Sequence, residues 1–305
     1  MTQKKLRDTS RTTMPSLTED EMALWLKEQG SFVIYHEGHH WYRRYAGFFR
    51  PVSQQKRLEY KSACRPHKLC WGFSATLKDS TYANGSQPTY LLNDLQNYTL
   101  DSLGHKRRQK IRRGLNHIEI VEVCSPELLI EDGYRVVCSY SERTRSMKLP
   151  SYKQYLNELK NWFNPRRGQI LAGLIEGQLA GFIMNYAVDG TAYGSKCFVA
   201  TEALSSNISS VLQFEWLQIC RRTEGINEAI LGTEMPELPS LCRYKKEMNY
   251  PLVNIPTRYW ISGLASPFVR RLRPHTCYRL TGRYLQNQQT LLSTAHVGQN
   301  TGQPD

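Results

Sequence analysis

Residues 169–200 read QILAGLIEGQLAGFIMNYAVDGTAYGSKCFVA. Three apolar runs, Gln169–Ile175, Leu179–Val188 and Ala192–Ala200, are separated by Glu176-Gly177 and Asp189-Gly190. An acid–glycine pair between two such runs supplies the positive φ that a two-residue hairpin turn requires. The stretch therefore predicts a meander of three antiparallel strands. Its middle strand is apolar on both faces, as expected of a strand inside a covered sheet.

Working outward, His117–Val123 alternates as a half-buried strand should. Leu129, Gly133, Val136, Val137 and Tyr140 then recur at helical spacing, just after the helix entry Ser125-Pro126-Glu127. A second helix carries Tyr152, Tyr155, Leu156, Leu159, Trp162 and Phe163 on one face, and Asn164-Pro165 stops it. Beyond the meander, Ile208, Val211, Leu212, Trp216 and Ile219 mark a long helix ending near Gly225. Ala229–Thr233 is a short strand, Leu241, Tyr244 and Met248 mark a helix, and Leu252–Ile261 is a last strand. The predicted order between residues 117 and 261 is β-α-α-β-β-β-α-β-α-β.

The flanks are less patterned. Residues 1–16 are polar and expected to be disordered, with Ser16 capping a helix whose first turn is acidic. Ser31–Tyr35 and Trp41–Phe49 predict two strands around His36-Glu-Gly-His. Residues 17–116 form a mixed α/β extension that ends in a basic helix over Asp101–Leu115. The tail from Ser262 is basic, interrupted by Pro267 and Pro274, and expected to be mobile beyond about Asn287.

Composition bounds the function. The 305 residues are 40% hydrophobic, enough for a packed core. No apolar run approaches the roughly eighteen residues of a membrane span, and MTQKKLRDTSRTT is not a secretory leader, so a cytoplasmic protein is expected. Eight scattered cysteines predict free thiols in a reducing compartment. Cys64-x2-His67-x2-Cys70, with His36, His39 and His40 upstream, does not have a standard zinc spacing, and no metal is expected. The net charge of +13 attracts polyanions and gathers at residues 105–113 and 258–283.

The order of elements resembles the GNAT acyltransferase fold: a mixed, mostly antiparallel sheet flanked by helices, in the α/β (α+β) class. Within that superfamily the chain looks most like the FemAB/CelD-like branch. Lys106–Arg113 resembles the branch's basic helix of the form K-x-R-x-x-x-R. Gly177-Gln-Leu-Ala-Gly-Phe-Ile resembles its glycine-led strand, and Tyr244-Lys245 its late aromatic–lysine pair. The resemblance covers about half of the chain. It implies transfer of an acyl group from acyl-CoA, or of an aminoacyl group from aminoacyl-tRNA, to an amine acceptor. The acceptor implied is a small amine, an amino sugar or a cell-envelope precursor. Typical GNAT enzymes hold the donor's pyrophosphate on a glycine-rich turn. At that place this chain reads Thr201-Glu-Ala-Leu-Ser-Ser-Asn-Ile-Ser-Ser210, without glycine.

Acyl transfer to an amine needs a bound donor, a base that removes a proton, and polarisation of the carbonyl. Ser205, Ser206, Asn207 and Ser209, at the start of the helix after the meander, are the candidate donor-binding residues, with simple helix capping as the alternative. Glu234 is the first candidate base and Glu202 the second. Tyr244 can protonate a leaving thiolate, and Lys245 can bind a phosphate or carboxylate. The alternative is that Tyr244 packs in the core while Lys245 reaches solvent. Six of the eight residues Lys106–Arg113 are cationic, and at that density they repel unless an anion is near. Arg107 and Arg112 are the candidate phosphate contacts there. A non-catalytic module binding RNA or another polyanion is the competing reading.

Overall fold

The computed structural model describes residues 5–45, 47–144, 148–163 and 167–282. The chain divides into two compact units. One gathers the residues up to Ser31 with Thr89–Gly232 and Ser240–Leu252; the other comprises Phe32–Pro88, Thr233–Pro239 and the residues from Val253 on.

The first unit is built on the predicted meander. Strands Gln169–Ile175, Gln178–Val188 and Thr191–Val199 pair antiparallel. Glu176 and Gly177 have φ of 51° and 76°, and Asp189 and Gly190 have 48° and 82°, the left-handed pairs that tight hairpins need. Glu119–Val123 pairs antiparallel with Gln169–Ile175, and Glu228–Thr233 runs parallel to Thr191–Val199. Helices Tyr134–Thr144, Tyr152–Trp162, Ile208–Arg222 and Pro239–Glu247 flank this sheet in the predicted order, the first preceded by a π-turn over Leu129–Gly133. Asn164-Pro165, the predicted helix stop, lies outside the described residues.

Three local expectations change. Residues 6–8 are not disordered: Leu6–Asp8 pairs antiparallel with Glu119–Val123, with Leu6 opposite Val123 and Asp8 opposite Val121. The gain is backbone pairing along an otherwise bare sheet edge. Arg222 fastens the following turn by donating to the carbonyls of Thr12 (3.0 Å) and Thr9. Ser16 lies in a short strand parallel to Ala187–Val188, and Thr18 caps the helix Glu19–Glu28 through a reciprocal box with Glu21. The basic helix is shorter than predicted, His105–Leu115, because Leu100–Ser102 forms a separate 3₁₀ turn and Gly104 stands at the helix entry.

The core of this unit holds Phe182, Leu171, Val211 and Trp216 between sheet and helices. Trp25 closes one side, meeting Trp162 edge-on at 5.1 Å while its indole N–H donates to the Asn161 carbonyl at 3.0 Å.

The second unit has its own run of paired strands. Val33–His36 and His39–Tyr45 form the predicted hairpin, turning at Glu37 and Gly38 with φ of 51° and 81°. Phe48–Pro51 and Gly72–Thr76 continue it, and Thr257–Ile261 pairs antiparallel with Gly72–Thr76. Trp41, Phe49, Leu58 and Phe73 form its core. The tail is helical as far as it is described, over Ala265–Leu272 and Pro274–Thr281. The expected mobile segment beyond Asn287 lies outside the described residues.

Candidate active site

The first unit's sheet opens where Thr191–Val199 meets Glu228–Thr233. The two strands pair at Thr191, Ala192 and Tyr193, opposite Glu228, Ala229 and Ile230, and then part. A bulge explains the parting. Met184 faces Lys196 and Asn185 faces Gly194, so Ser195 is an extra residue that bends its strand. Gly194 stands at the fork, where a Cβ would lie 2.9 Å from Leu231 Cδ1. Beyond it Ser195 and Cys197 are exposed.

Three helices bring side chains together in this unit: the basic helix, the start of Ile208–Arg222, and Pro239–Glu247. Arg107 is their common member. One guanidinium NH₂ donates to Ser210 Oγ at 2.7 Å, and the other is ion-paired with Glu247. The guanidinium carbon lies 5.2 Å from the Tyr244 ring centre, within cation–π range. Its Nε is buried with no hydrogen-bond partner among the described residues. Tyr244 donates its hydroxyl to the Ser209 carbonyl at 3.2 Å. Burial pushes the Tyr244 hydroxyl well above the ordinary tyrosine range, nearby Cys197 adds to the rise, and Arg107 opposes it. Tyr244 is therefore a protonated donor across the physiological range.

The glycine-free turn has its own geometry. Thr201–Ser206 is a 3₁₀ turn, and Asn207 takes the left-handed conformation with φ 64°. Asn207 does not cap the following helix; its amide instead donates to the Ser205 carbonyl at 3.2 Å. Ser206 Oγ turns back to the Ala203 carbonyl at 2.7 Å, and Ser205 is exposed. The positive end of a 15-residue helix is thus left without a side-chain cap. Gly114 of the basic helix packs closely against the end of this turn and the start of the following helix. A Cβ there would lie 2.5 Å from Val211 Cγ2 and 3.0 Å from the Ser206 carbonyl oxygen. Neither Gly114 nor Ser210 was singled out from the sequence, where a glycine near a helix end and a serine among serines carry little signal.

The remaining candidates separate. Lys245 does not reach solvent: it is 4% exposed, with Nζ 4.9 Å over the Tyr90 ring, inside the first unit. Arg112 is exposed, as are Lys106, Lys110 and Arg113. Glu202 is spent on a largely exposed ion pair with Arg135 at 2.8 Å and makes no contact with Tyr244 among the described residues. Glu234 belongs to the second unit, where its carboxylate accepts the Tyr278 hydroxyl at 2.6 Å and its N–H donates to the Pro88 carbonyl. The carboxylate within the Tyr244 cluster is Glu247, which follows two lysines at a helix end and carries no signal in the sequence. Of the cysteine–histidine set, His36 Nε2 meets Cys64 Sγ at 3.2 Å, while Cys70 donates to the Gly72 carbonyl and His67 lies against the Phe32 and Phe49 rings. No group of three metal-binding side chains converges among the described residues.

No sequence-family model and no curated protein matches this chain. Solved structures do resemble it. FemX aligns with a TM-score of 0.58 at 9% identity, over 81% of this chain and 92% of FemX. The C-terminal domain (DUF2156) of a protein assigned as a lysylphosphatidylglycerol synthetase from Agrobacterium fabrum aligns with a TM-score of 0.56 at 12% identity, over 88% and 94%. L-PGS from Bacillus licheniformis aligns with a TM-score of 0.52 at 12% identity, over 90% and 99%. At such identities the likeness is one of fold, and it establishes the GNAT-like, mostly antiparallel sheet flanked by helices. It spans far more of the chain than residues 117–261, so both units take part.

Proposed function

We propose that this chain is an acyl- or aminoacyl-transferase acting on an amine. In this reading the donor's phosphates rest where the basic helix meets the start of Ile208–Arg222, and Tyr244 protonates the leaving atom. The observation that carries the reading is the convergence of Arg107, Ser209, Ser210 and Tyr244 in the unit whose sheet forks at Gly194. The helix start without a side-chain cap and the buried Nε of Arg107, unpartnered among the described residues, both suit an anion. A donor carrying phosphate fits these groups, and it would bring the activated carbonyl that the acceptor amine attacks. Tyr244, held neutral by burial, can give its proton to the departing oxygen or sulfur. The attacking amine gives up its proton to solvent as the new bond forms.

Between the two donor classes, aminoacyl-tRNA is favoured over acyl-CoA. Lys106, Lys110, Arg112 and Arg113 stand exposed along the basic helix, more cation than one pyrophosphate needs. A similar fold occurs in a protein assigned as a lysylphosphatidylglycerol synthetase, a name that denotes an aminoacyl product. The competing reading is a module that binds RNA without catalysis. It is favoured by the same exposed cations and by the Tyr244 hydroxyl already engaged with Ser209.

Thermal melts with acetyl-CoA, longer acyl-CoAs, uncharged tRNA and aminoacyl-tRNA test the proposal, because a ligand of the folded state raises the melting temperature. Aminoacyl-tRNA should raise it and lose its aminoacyl group to an added amine. Stabilisation by tRNA without deacylation would favour the non-catalytic module. No stabilisation by any donor would remove the transferase reading.

A further inference from the structure

The basic tail forms a helix whose surface is unusual in three ways. Leu264, Phe268 and Leu272, spaced four apart and therefore on one face, are 90%, 67% and 64% exposed. Water-facing surfaces of soluble proteins scatter such residues singly, whereas a contiguous row marks a contact. Beside the row, Arg270, Arg271 and Arg273 are exposed. From Met248 to Pro304 the chain contains no aspartate or glutamate, while Arg258, Arg270, Arg271, Arg273, Arg279 and Arg283 all fall within it.

A partner for this face must offer apolar depth beneath negative charge. A nucleic acid would meet the arginines but leave the leucine and phenylalanine side chains in water. The interface of an anionic bilayer supplies both, with acyl chains for the apolar row and phosphates for the guanidinium groups. A second feature of the same unit matches amphiphilic chemistry. A cavity of about 660 Å³ is lined by Phe48, Phe49, Phe73 and Val269, with Arg44 and Arg273 also on its walls. Val269 and Arg273 come from this helix or its end, so the cavity and the exposed row share one element.

We propose that Ala265–Leu272 lays the chain on an anionic lipid surface, with Leu264, Phe268 and Leu272 in the acyl boundary and the three arginines at headgroup phosphates. Flotation of the full chain with mixed phosphatidylcholine–phosphatidylserine vesicles, against phosphatidylcholine alone, tests this. Binding should be roughly a hundredfold tighter to the anionic vesicles, taking about 1 kcal/mol for each of three arginines. The double variant Phe268→Glu/Leu272→Glu should bind roughly a hundredfold more weakly, since each of the two apolar side chains contributes about tenfold. Both side chains are exposed, so its melting temperature should match that of the parent chain. Absence of vesicle binding overturns the proposal, as does binding that the double variant leaves unchanged. If the double variant instead turns a dimer into a monomer, with vesicles ignored throughout, the face belongs to a second copy and the proposal falls.

Discussion

Replacing Gly114 with alanine separates two opposed effects whose balance is set by how the basic helix is seated. In an exposed helix the substitution stabilises, by up to about 1 kcal/mol. Here the new methyl would stand 2.5 Å from Val211 Cγ2 and 3.0 Å from the Ser206 carbonyl oxygen. Carbon atoms in contact rest roughly 3.5–4.0 Å apart, so about 1 Å of movement is required. Val211 is fully buried and branched at Cβ, and the Ser206 carbonyl is backbone, so neither can swing aside. Overpacking of this kind costs about 1–3 kcal/mol, which outweighs the propensity gain and leaves a net loss near 1 kcal/mol. Gly114→Val should lose more, about 2–4 kcal/mol, because it adds two methyl groups and lowers helix propensity relative to alanine. Urea denaturation reads both changes as shifts in midpoint at constant slope. A Gly114→Ala variant more stable than the parent would show that the basic helix is not seated on Ile208–Arg222, and the donor site built on that seat would go with it.

Arg107→Ala should lower stability by about 2 kcal/mol, combining a charge-assisted hydrogen bond to Ser210 with the stacking over Tyr244; the pair with the half-exposed Glu247 adds little. Arg107→Lys should recover less than half of that loss, because a point charge cannot span Ser210 and Glu247 together; full recovery would contradict the geometry. Alkaline pH should destabilise the fold. Burial raises Tyr98, Tyr155, Tyr244 and Tyr250 above the ordinary value of 10.0. The unfolded chain releases these protons first, so stability is complete below about pH 10 and falls as pH rises beyond it, and urea midpoints unchanged into strong alkali would refute this. Neutralising Lys106, Lys110 and Arg113 together with glutamine should flatten the salt dependence of tRNA binding by about three charges' worth of slope, and an unchanged slope would place the RNA contact elsewhere.

Most of the first unit was legible because its signals are local. Acid–glycine turns with positive φ, and apolar residues at strand or helix spacing, give the meander and its helices without any long-range information. The strand Leu6–Asp8 was not legible: three polar-flanked residues have no period, and what orders them is the open edge of Glu119–Val123, more than a hundred residues away. The division into two units was hidden for the same reason, since each unit draws on separate stretches of chain. Tyr244 and Lys245 were found as adjacent residues, but their opposite environments follow from helix rotation about the neighbouring elements. One hydroxyl meets Ser209, while the other residue's ammonium lies over Tyr90. Glu202 and Glu234 looked alike as acids after strands. Only tertiary structure gives one to Arg135 at the surface and the other to Tyr278 in the second unit.

The proposed proton-donor role of Tyr244 is tested most directly by single-turnover transfer from aminoacyl-tRNA and from acyl-CoA to a panel of amines, comparing the parent chain with Tyr244→Phe. Removing the hydroxyl deletes one hydrogen bond, to the Ser209 carbonyl, at a cost of about 1 kcal/mol in stability. The account predicts donor binding nearly unchanged and a transfer rate lower by about 10²–10⁴-fold. Equal transfer rates for the two chains would contradict it.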